Sequence, residues 1–283
     1  MRVRAALFLV ALMLGVVASG SAAALAPRVV SLDYCADQYV LGLADRDAIA
    51  AVSTHADDRH SYLRDQARGL PQLRDDAEDV LALAPDLIVR GYDAGGRAGA
   101  YYQRLGLETF ELGFSAGFDD VEAMIRRTAT ALGQPERGEA RIAHMRSQLA
   151  RAADGPRLRA LYMTPSGLTT GSGTLMHAFM TAAGFDNVIA EQGKTGWINL
   201  PLEQLHEQAP DIILAAFFDG ETAPIDSWSA SRHSVFRRMM ETTPVIELDA
   251  AALSCGVWFM ADEALRARQA ANALVLDLDG AES

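Results

Sequence analysis

A short sequence pattern occurs twice in this chain and constrains its fold more than any other feature. Residues 78–88 and 203–213 share a glutamate, an Ala-Pro-Asp triplet and a following apolar pair, at an offset of 125 positions. In each copy the proline ends a predicted short helix and the aspartate begins a predicted buried strand. One such junction is common, but two at a fixed offset indicate two α/β units of similar design.

A long amphipathic helix is predicted between the two copies, over residues 135–154. Pro135 suits the first helical position, and Gly155-Pro156 would end the helix. Apolar residues recur every three or four positions on one side: Ile142, Met145, Leu149 and Ala152. At roughly 1.5 Å per residue the helix is about 30 Å long, the width of a small domain. We therefore expect an N-terminal lobe over residues 27–134, this connecting helix, and a C-terminal lobe over residues 155–283.

Short apolar runs alternate with amphipathic segments on both sides of this helix. The predicted strands are residues 29–32, 49–53, 86–89, 108–112, 158–163, 211–215 and 245–248. The longer predicted helices are residues 37–43, 97–105, 119–132, 175–183 and 260–276. Such alternation is typical of parallel sheets covered by helices on both faces. The expected fold class is α/β, with two lobes of parallel-sheet α/β sandwiches joined by a single long rigid helix.

The first 26 residues have the features of a cleavable export signal. Arg2 and Arg4 precede an apolar run over residues 5–17 that is too short to span a bilayer, and small residues follow it. The small residues predict cleavage near Ala24 or Ala26. We expect the mature chain to be a soluble periplasmic protein.

The formal net charge of the chain is −12 at neutral pH. A protein this acidic has no broad electrostatic attraction to nucleic acid, so a nucleic-acid partner is not expected. Its surface carboxylates could instead face a basic partner protein. The two cysteines, Cys35 and Cys255, lie one in each predicted lobe. Export permits a disulfide between them, but the sequence leaves a bond and two buried thiols equally open.

Several segments together resemble the periplasmic substrate-binding proteins that serve ABC importers of vitamin B12, ferric siderophores and haem. The resemblance is carried by residues 27–32, 49–53 and 133–137, by Thr170-Gly171, and by the two repeat copies. It implies a metal chelate held in a cleft between two lobes and delivered to an inner-membrane ABC permease with its ATPase. It also implies a monomer that binds this ligand, has no cofactor of its own and is not an enzyme.

The resemblance further assigns roles to particular residues. Glutamates that match Glu78 and Glu203 dock onto transporter arginines in the vitamin B12-binding members of the family. His55 and Trp197 match positions of aromatic ligand contacts in those members.

Candidate ligand contacts follow from the position of the predicted strands, because ligands of open parallel sheets bind at the carboxyl ends of the strands. The candidates are Tyr34, His55, Tyr92 and Phe114 in the first lobe and Thr170, Trp197, Phe218 and Trp258 in the second. Aromatic side chains on both walls suit a large, flat or apolar ligand. His55 is either a ligand to the metal of a bound chelate or a solvent-exposed loop histidine.

Two other functions remain open at this stage. A bare zinc or manganese ion could be bound by His55, Asp57, Asp58 and His60, although the second lobe adds only His177, His206 and His233. An exported α/β enzyme acting on a tetrapyrrole or an ester is the other alternative. The chain has neither a Gly-x-Ser-x-Gly elbow nor a His-Glu-x-x-His helix, which disfavours the enzyme.

Overall fold

The structure, a computed structural model, describes residues 26–92, 97–164, 167–199, 210–216, 238–239 and 241–281. The predicted signal sequence up to residue 25 and most of the second repeat copy, residues 203–209, lie outside these residues. Across the described residues no helix combines the length and the apolar character needed to cross a membrane.

The part of the chain before residue 135 alternates strands and helices. Its strands are β1 (Val29–Ser31), β2 (Ile49–Ser53), β3 (Gln72–Leu73), β4 (Leu87–Arg90) and β5 (Thr109–Glu111). Its helices are α1 (Tyr34–Leu43), α2 (Arg64–Ala67), α3 (Ala77–Ala82), α4 (Arg97–Arg104) and α5 (Phe118–Ala131).

The long helix α6 (Pro135–Ala152) follows, and the alternation then resumes. The later strands are β6 (Leu158–Met163), β7 (Leu168–Thr170), β8 (Phe185–Asn187), β9 (Trp197–Asn199), β10 (Ile212–Ala216) and β11 (Val245–Leu248). The later helices are α7 (Leu175–Ala182), α8 (Val188–Glu191), α9 (Ala250–Leu253) and α10 (Met260–Ala281).

The strands form two parallel sheets, one on each side of α6 in the sequence. The first sheet has the order β3-β2-β1-β4-β5 and the second has the order β11-β10-β6-β8. Strands β7 and β9 pair separately and antiparallel. Each sheet is buried on both faces, because β1, β2, β6 and β10 consist largely of buried apolar residues. The predicted fold class, two parallel-sheet α/β lobes, is confirmed.

Helix α6 belongs to the cores of both lobes. Ile142 and Met145 pack in the core of the first lobe, Ala152 packs in the core of the second, and Leu149 contacts both. The apolar stripe predicted from the sequence is therefore the surface on which the two lobes meet. The amino-terminal end of α6 is held by Arg137, which donates hydrogen bonds of 2.5 Å to the Leu43 carbonyl and 2.6 Å to Asp45.

A second segment also joins the lobes. We call residues 252–261, which run from the end of α9 into α10, the crossing segment. Strand β11 before it pairs within the second sheet, and most of α10 after it packs in the second core. Most of the crossing segment packs in the core of the first lobe, with Val257, Trp258 and Phe259 buried there, whereas Met260 belongs to the second core. The sequence patterns had assigned all of residues 155–283 to the C-terminal lobe, whereas this part of them completes the core of the N-terminal lobe.

Aromatic rings hold the crossing segment in place. Trp258 packs edge-on against Tyr39 at a centroid distance of 6.0 Å, and Phe259 stacks on Tyr62 at 4.1 Å. The Trp258 ring also lies against α1 at Gly42, where an added Cβ would be only 2.2 Å from a ring carbon. A glycine is therefore required at this point of α1 so that the indole can approach the helix backbone.

This close approach predicts the effect of Gly42→Ala on stability. The methyl group would displace the Trp258 ring and lower the free energy of unfolding by about 1–3 kcal/mol, the usual cost of overpacking a core. Gly99→Ala in α4 is the matched control, because a Cβ there meets ordinary contacts of 3.6 Å or more. The control should be neutral or more stable by up to about 1 kcal/mol. Equal stability of the two variants in urea unfolding would contradict this packing.

Candidate ligand-binding cavity

A cavity of about 980 Å³ lies between the two lobes. On the first-lobe side, its lining comes mainly from the segments that follow β1, β2, β4 and β5, at the carboxyl ends of four parallel strands. On the second-lobe side, residues from β6, β9, the start of α7 and the crossing segment line it. The carboxyl edge of a parallel sheet is where ligands bind in open α/β folds, so the position of the cavity agrees with the sequence expectation.

Exposed aromatic side chains dominate the walls of the cavity. Tyr34, Tyr92, Phe114 and Trp197 all line it, with exposed fractions of 37%, 60%, 67% and 48%. Tyr92 and Phe114 are neighbours on the first lobe, with ring centroids 6.2 Å apart. Trp197 lies on the second lobe, edge-on to Tyr162 at 5.9 Å. Removing large apolar rings from water by covering them with a ligand is favourable. These four residues therefore form a suitable surface for an apolar ligand.

The carboxylate of Asp33 fixes two of these aromatic residues. It caps α1 by accepting hydrogen bonds from the backbone N–H groups of Cys35 and Ala36, at 3.1 and 3.0 Å, and it also accepts one from Gly91. One side chain therefore holds the backbone next to Tyr34, at the start of α1, and next to Tyr92, in the segment after β4. A Cβ at position 91 would be 2.8 Å from the Asp33 carboxylate, which explains the glycine.

A second aspartate of α1 holds the loop that carries His55. Asp37 is fully buried and accepts hydrogen bonds from the Ser53 backbone and hydroxyl groups, at 3.0 and 2.6 Å. The Ser53 hydroxyl in turn accepts a bond of 3.1 Å from the His55 backbone. Burial raises the pKa of the Asp37 carboxyl to about 6, although the bonds from Ser53 act in the opposite direction.

His55 is placed on the first-lobe wall together with Asp58. The imidazole Nδ1 lies 2.8 Å from the Asp58 carboxylate, and both side chains are more than half exposed to the cavity and solvent. A carboxylate at Nδ1 favours the tautomer with the proton on that nitrogen. The lone pair of Nε2 is then available to a metal ion or a hydrogen-bond donor.

Several of the residues expected at the site occupy other places. Thr170 is fully buried and hydrogen-bonds Thr174 at 2.5 Å, where it supports the amino-terminal end of α7. Trp258 is 3% exposed, packs inside the first core and does not line the cavity. The position of Trp258 therefore does not support the ligand contact expected of it. Phe218 lies outside the described residues.

Of the two residues expected to dock on a transporter, Glu78 is described, and it does not line the cavity. Glu78 is exposed at the start of α3, after the Asp76 side chain that caps this helix. Glu203 lies outside the described residues.

Other lining residues were not among the sequence candidates. They include apolar or weakly polar side chains within helices and strands, such as Met124, Tyr162, Met176 and Met260. Met176 and Met260 lie in the first turns of α7 and α10, which follow segments at the cleft edge. Their positions could therefore have identified both methionines as lining residues from the sequence. Nothing in the sequence shows towards which face of β6 the Tyr162 side chain points.

The described lining of the cavity has few ionisable side chains other than tyrosines. Asp58 is its only carboxylate, His55 and His60 are its only imidazoles, and no lysine or arginine belongs to it. The remaining polar groups are hydroxyls, including Tyr34, Ser61 and Ser254. Burial and the Asp33 carboxylate raise the pKa of the Tyr34 hydroxyl, so it stays protonated at neutral pH and can donate a hydrogen bond.

The two cysteines meet at the floor of the cavity. Cys35 in α1 and Cys255 in the crossing segment form a disulfide, with their Cα atoms 5.5 Å apart, and both line the cavity. The question that the sequence left open is thus answered by the structure, because α1 and the crossing segment pack side by side.

A site for a bare metal ion is not assembled by the described part of the chain. No group of three or more histidine, cysteine, aspartate or glutamate side chains within it converges on one point. In particular, the four residues considered from the sequence, His55, Asp57, Asp58 and His60, do not form such a group. His206 and His233 lie outside the described residues.

The fold and the cavity together define a two-lobed binding protein. Residues 29–226 match the family of periplasmic binding proteins, and the chain belongs to this family. Cobalamin-binding proteins from two strains of Halobacterium salinarum are 28% identical to it over 202 residues, covering 66% of this chain and 53% of each relative. The chain thus spans about half the length of the curated relatives it matches.

Solved structures of two binding proteins are similar in fold. The periplasmic heme-binding protein RhuT from Roseiflexus sp. RS-1, in its apo form, aligns with a TM-score of 0.65 and 21% identity, covering 87% of this chain and 97% of that one. The periplasmic vitamin B12-binding protein BtuF of Vibrio cholerae aligns with a TM-score of 0.62 and 20% identity, covering 87% and 98%.

The raised pKa of Asp37 predicts a pH dependence of stability. Between pH 3.8 and about 6 the folded protein keeps the proton of this carboxyl whereas the unfolded chain loses it, so stability decreases as the pH rises through this window. The decrease should be on the order of 3 kcal/mol and should level off above the folded pKa. In Asp37→Asn this contribution should disappear.

The measurement is urea unfolding of both proteins from pH 3.5 to 7.5, a range set by these pKa values. The quantity of interest is the difference between wild type and variant, which removes the contribution of every other titrating group. A difference that does not change with pH would contradict the burial of an ionisable carboxyl at this position.

Proposed function

We propose that this protein binds a metal chelate between its lobes, without chemical turnover, and delivers it to an inner-membrane ABC importer. The observation that carries the proposal is the large inter-lobe cavity with exposed aromatic residues on both walls, in a member of the periplasmic binding protein family. The volume of about 980 Å³ is at the upper end for a small-molecule site, which suits a ligand as large as a tetrapyrrole.

The lining chemistry narrows the class of chelate. A flat macrocycle can be covered by Tyr92 and Phe114 from one lobe and Trp197 from the other. Because the described lining has a carboxylate and two imidazoles but no lysine or arginine, it favours an uncharged or cationic chelate over one with several free carboxylates. A corrinoid with amide side chains fits this description better than haem or a ferric catecholate. The curated relatives are cobalamin-binding proteins, which supports the same choice, whereas the similar solved structures include both heme-binding and vitamin B12-binding proteins and do not discriminate.

Export and transporter docking complete the proposal. The signal sequence, cleaved near Ala24 or Ala26, would place the mature monomer in the periplasm. There the exposed Glu78 and its repeat counterpart Glu203 would contact basic residues of the permease, which works with its ATPase. An acidic chain with a net charge of −12 suits such a partner.

A fluorescence titration tests ligand binding. Trp197 lines the cavity, so a chelate bound there should quench its emission. Purified protein is titrated with cyanocobalamin, cobinamide, haemin and a ferric hydroxamate, and the proposal expects saturable quenching with a corrinoid dissociation constant at or below the micromolar range. Absence of quenching by all four probes at micromolar concentration would overturn the proposal, and preference for haemin would overturn the choice of chelate.

Substitutions then locate the site. Tyr92→Ala and Phe114→Ala each remove a ring that the ligand covers, and each should weaken binding about 10- to 100-fold, the equivalent of 1.4–2.8 kcal/mol of lost apolar contact. Tyr101→Ala is the matched control, because Tyr101 is another exposed tyrosine, on α4, that does not line the cavity. Isothermal titration calorimetry should show unchanged affinity for the control. A loss of affinity confined to the control would place the ligand elsewhere.

Charge reversal tests the docking residues separately from ligand binding. The double variant Glu78→Arg and Glu203→Arg should bind the ligand as wild type does and should fail to support its uptake by cells. The control reverses Glu108 and Glu136, which are also exposed, and thereby makes the same change in net charge. Normal uptake with the first variant would show that these glutamates do not dock on the importer.

A further inference from the structure

The floor of the cavity is a covalent junction between the two lobes. Cys35 belongs to α1 of the first lobe, and Cys255 belongs to the crossing segment, whose flanking elements β11 and α10 belong to the second. The bond joins residues 220 positions apart. Residues from both sides of this junction line the cavity: Tyr34 and Cys35 from α1, and Ser254, Cys255 and Gly256 from the crossing segment.

We propose that Cys35 and Cys255 are positioning residues of the ligand site, and that the protein reaches full binding competence only when they are oxidised to the disulfide. This inference rests on the proposed function, because it concerns the same cavity. It adds a dependence of binding on the redox state, and it assigns the crossing segment the role of a floor that the bond holds in place.

The contacts of the crossing segment show why the bond matters locally. Cys255 is bonded to Cys35, the Gly256 carbonyl accepts a hydrogen bond from Tyr39 of α1, and the Ser254 hydroxyl donates one of 2.7 Å to the Ala250 carbonyl. The aromatic contacts that bury the segment begin at Trp258 and Phe259, which lie deeper in the core. The portion that faces the cavity is therefore tied to α1 by the disulfide and by the hydrogen bond from Tyr39, whereas the deeper portion is held by apolar packing and would stay packed without the disulfide.

The same junction touches the walls on both sides. A Cβ added at Gly256 would be 3.0 Å from a methyl group of Leu175 in the second lobe and 3.4 Å from Ser115 in the first. Tyr34, a cavity aromatic, is adjacent to Cys35 in the chain. If the bond is opened, Ser254–Gly256 lose their covalent connection to α1 and keep the hydrogen bond from Tyr39. The position of the floor and the distances between these wall residues are then less firmly fixed.

The chemistry of the step is ordinary thiol–disulfide exchange. Oxidation joins the two sulfur atoms and releases two protons and two electrons, and the electrons pass to the disulfide of an extracytoplasmic thiol oxidase, which is reduced to a dithiol. Because such oxidants act outside the cytoplasm, an unexported precursor would stay reduced and would bind its ligand weakly. The exported protein would acquire the complete site at the place where the ligand is available.

The test compares three forms of the full mature chain: oxidised wild type, wild type reduced with a phosphine, and the double variant Cys35→Ser with Cys255→Ser. Affinity is measured with cyanocobalamin and haemin, and hydrogen exchange is measured by mass spectrometry without ligand. We expect reduction and the double variant each to weaken binding at least 10-fold. We also expect faster amide exchange at residues 252–257, with unchanged exchange in β6 and β10.

Two controls separate positioning from a general loss of stability. The phosphine should not alter binding by the double variant, since it has no disulfide. Phe185→Leu destabilises the second core at a residue that is fully buried and does not line the cavity, and it should leave affinity unchanged at a similar loss of melting temperature. If the double variant does not fold, the reduced wild type still gives the comparison.

The outcomes distinguish this inference from the proposed function. Oxidised wild type that binds none of the probes contradicts the proposed function, and the exchange measurement then tests the floor alone. Oxidised and reduced forms that bind with affinities within twofold of each other, with equal exchange at residues 252–257, overturn the inference and leave the proposed function standing.

Discussion

The packing of the crossing segment into the first lobe is the interaction on which the rest of the structure depends. Trp258 and Phe259 leave the second lobe, enter the core beneath α1 and place Cys255 beside Cys35. Together with α6, whose apolar stripe serves both cores, this segment joins the lobes at two separate places. Two connections restrict hinge movement more than one does, so the cavity between the lobes should be largely formed before a ligand arrives. A preformed site loses little conformational entropy when a ligand binds.

The first-lobe wall is organised by the same helix that receives the crossing segment. Asp33 and Asp37, one turn apart at the start of α1, accept hydrogen bonds from the loops that follow β4 and β2. They thereby fix Tyr92 and His55 relative to Tyr34. Burying the Asp37 carboxylate is costly, as its raised pKa shows, and its hydrogen bonds offset part of that cost. The arrangement explains how exposed aromatic residues on separate loops can form one surface of defined shape.

The sequence was informative where the physical signal is local and strong. Continuous apolar runs gave the bounds of β2, β6 and β11 as the structure has them, and Pro135 gave the start of α6. Strands β3 and β8 and helix α8 have two to four residues, which is too short for periodicity to be recognised. At the site, the rule on strand ends selected the loops of Tyr34, His55, Tyr92 and Phe114, all of which line the cavity. It could not tell which way a side chain points, so Trp258 and Thr170 were selected with them although both are buried in cores. The approach of Cys35 to Cys255 depends on long-range packing that no local pattern encodes.

The central claim is that a metal chelate binds between the lobes against aromatic side chains from both. The most direct measurement is a crystal structure of the oxidised protein grown with cyanocobalamin or cobinamide. The account predicts electron density for the macrocycle in the cavity, in contact with Tyr92 and Phe114 on one side and Trp197 on the other, with the crossing segment unmoved beneath it. A ligand bound outside this cavity, or a cavity that must open by separation of Cys35 from Cys255 to admit it, would contradict the account.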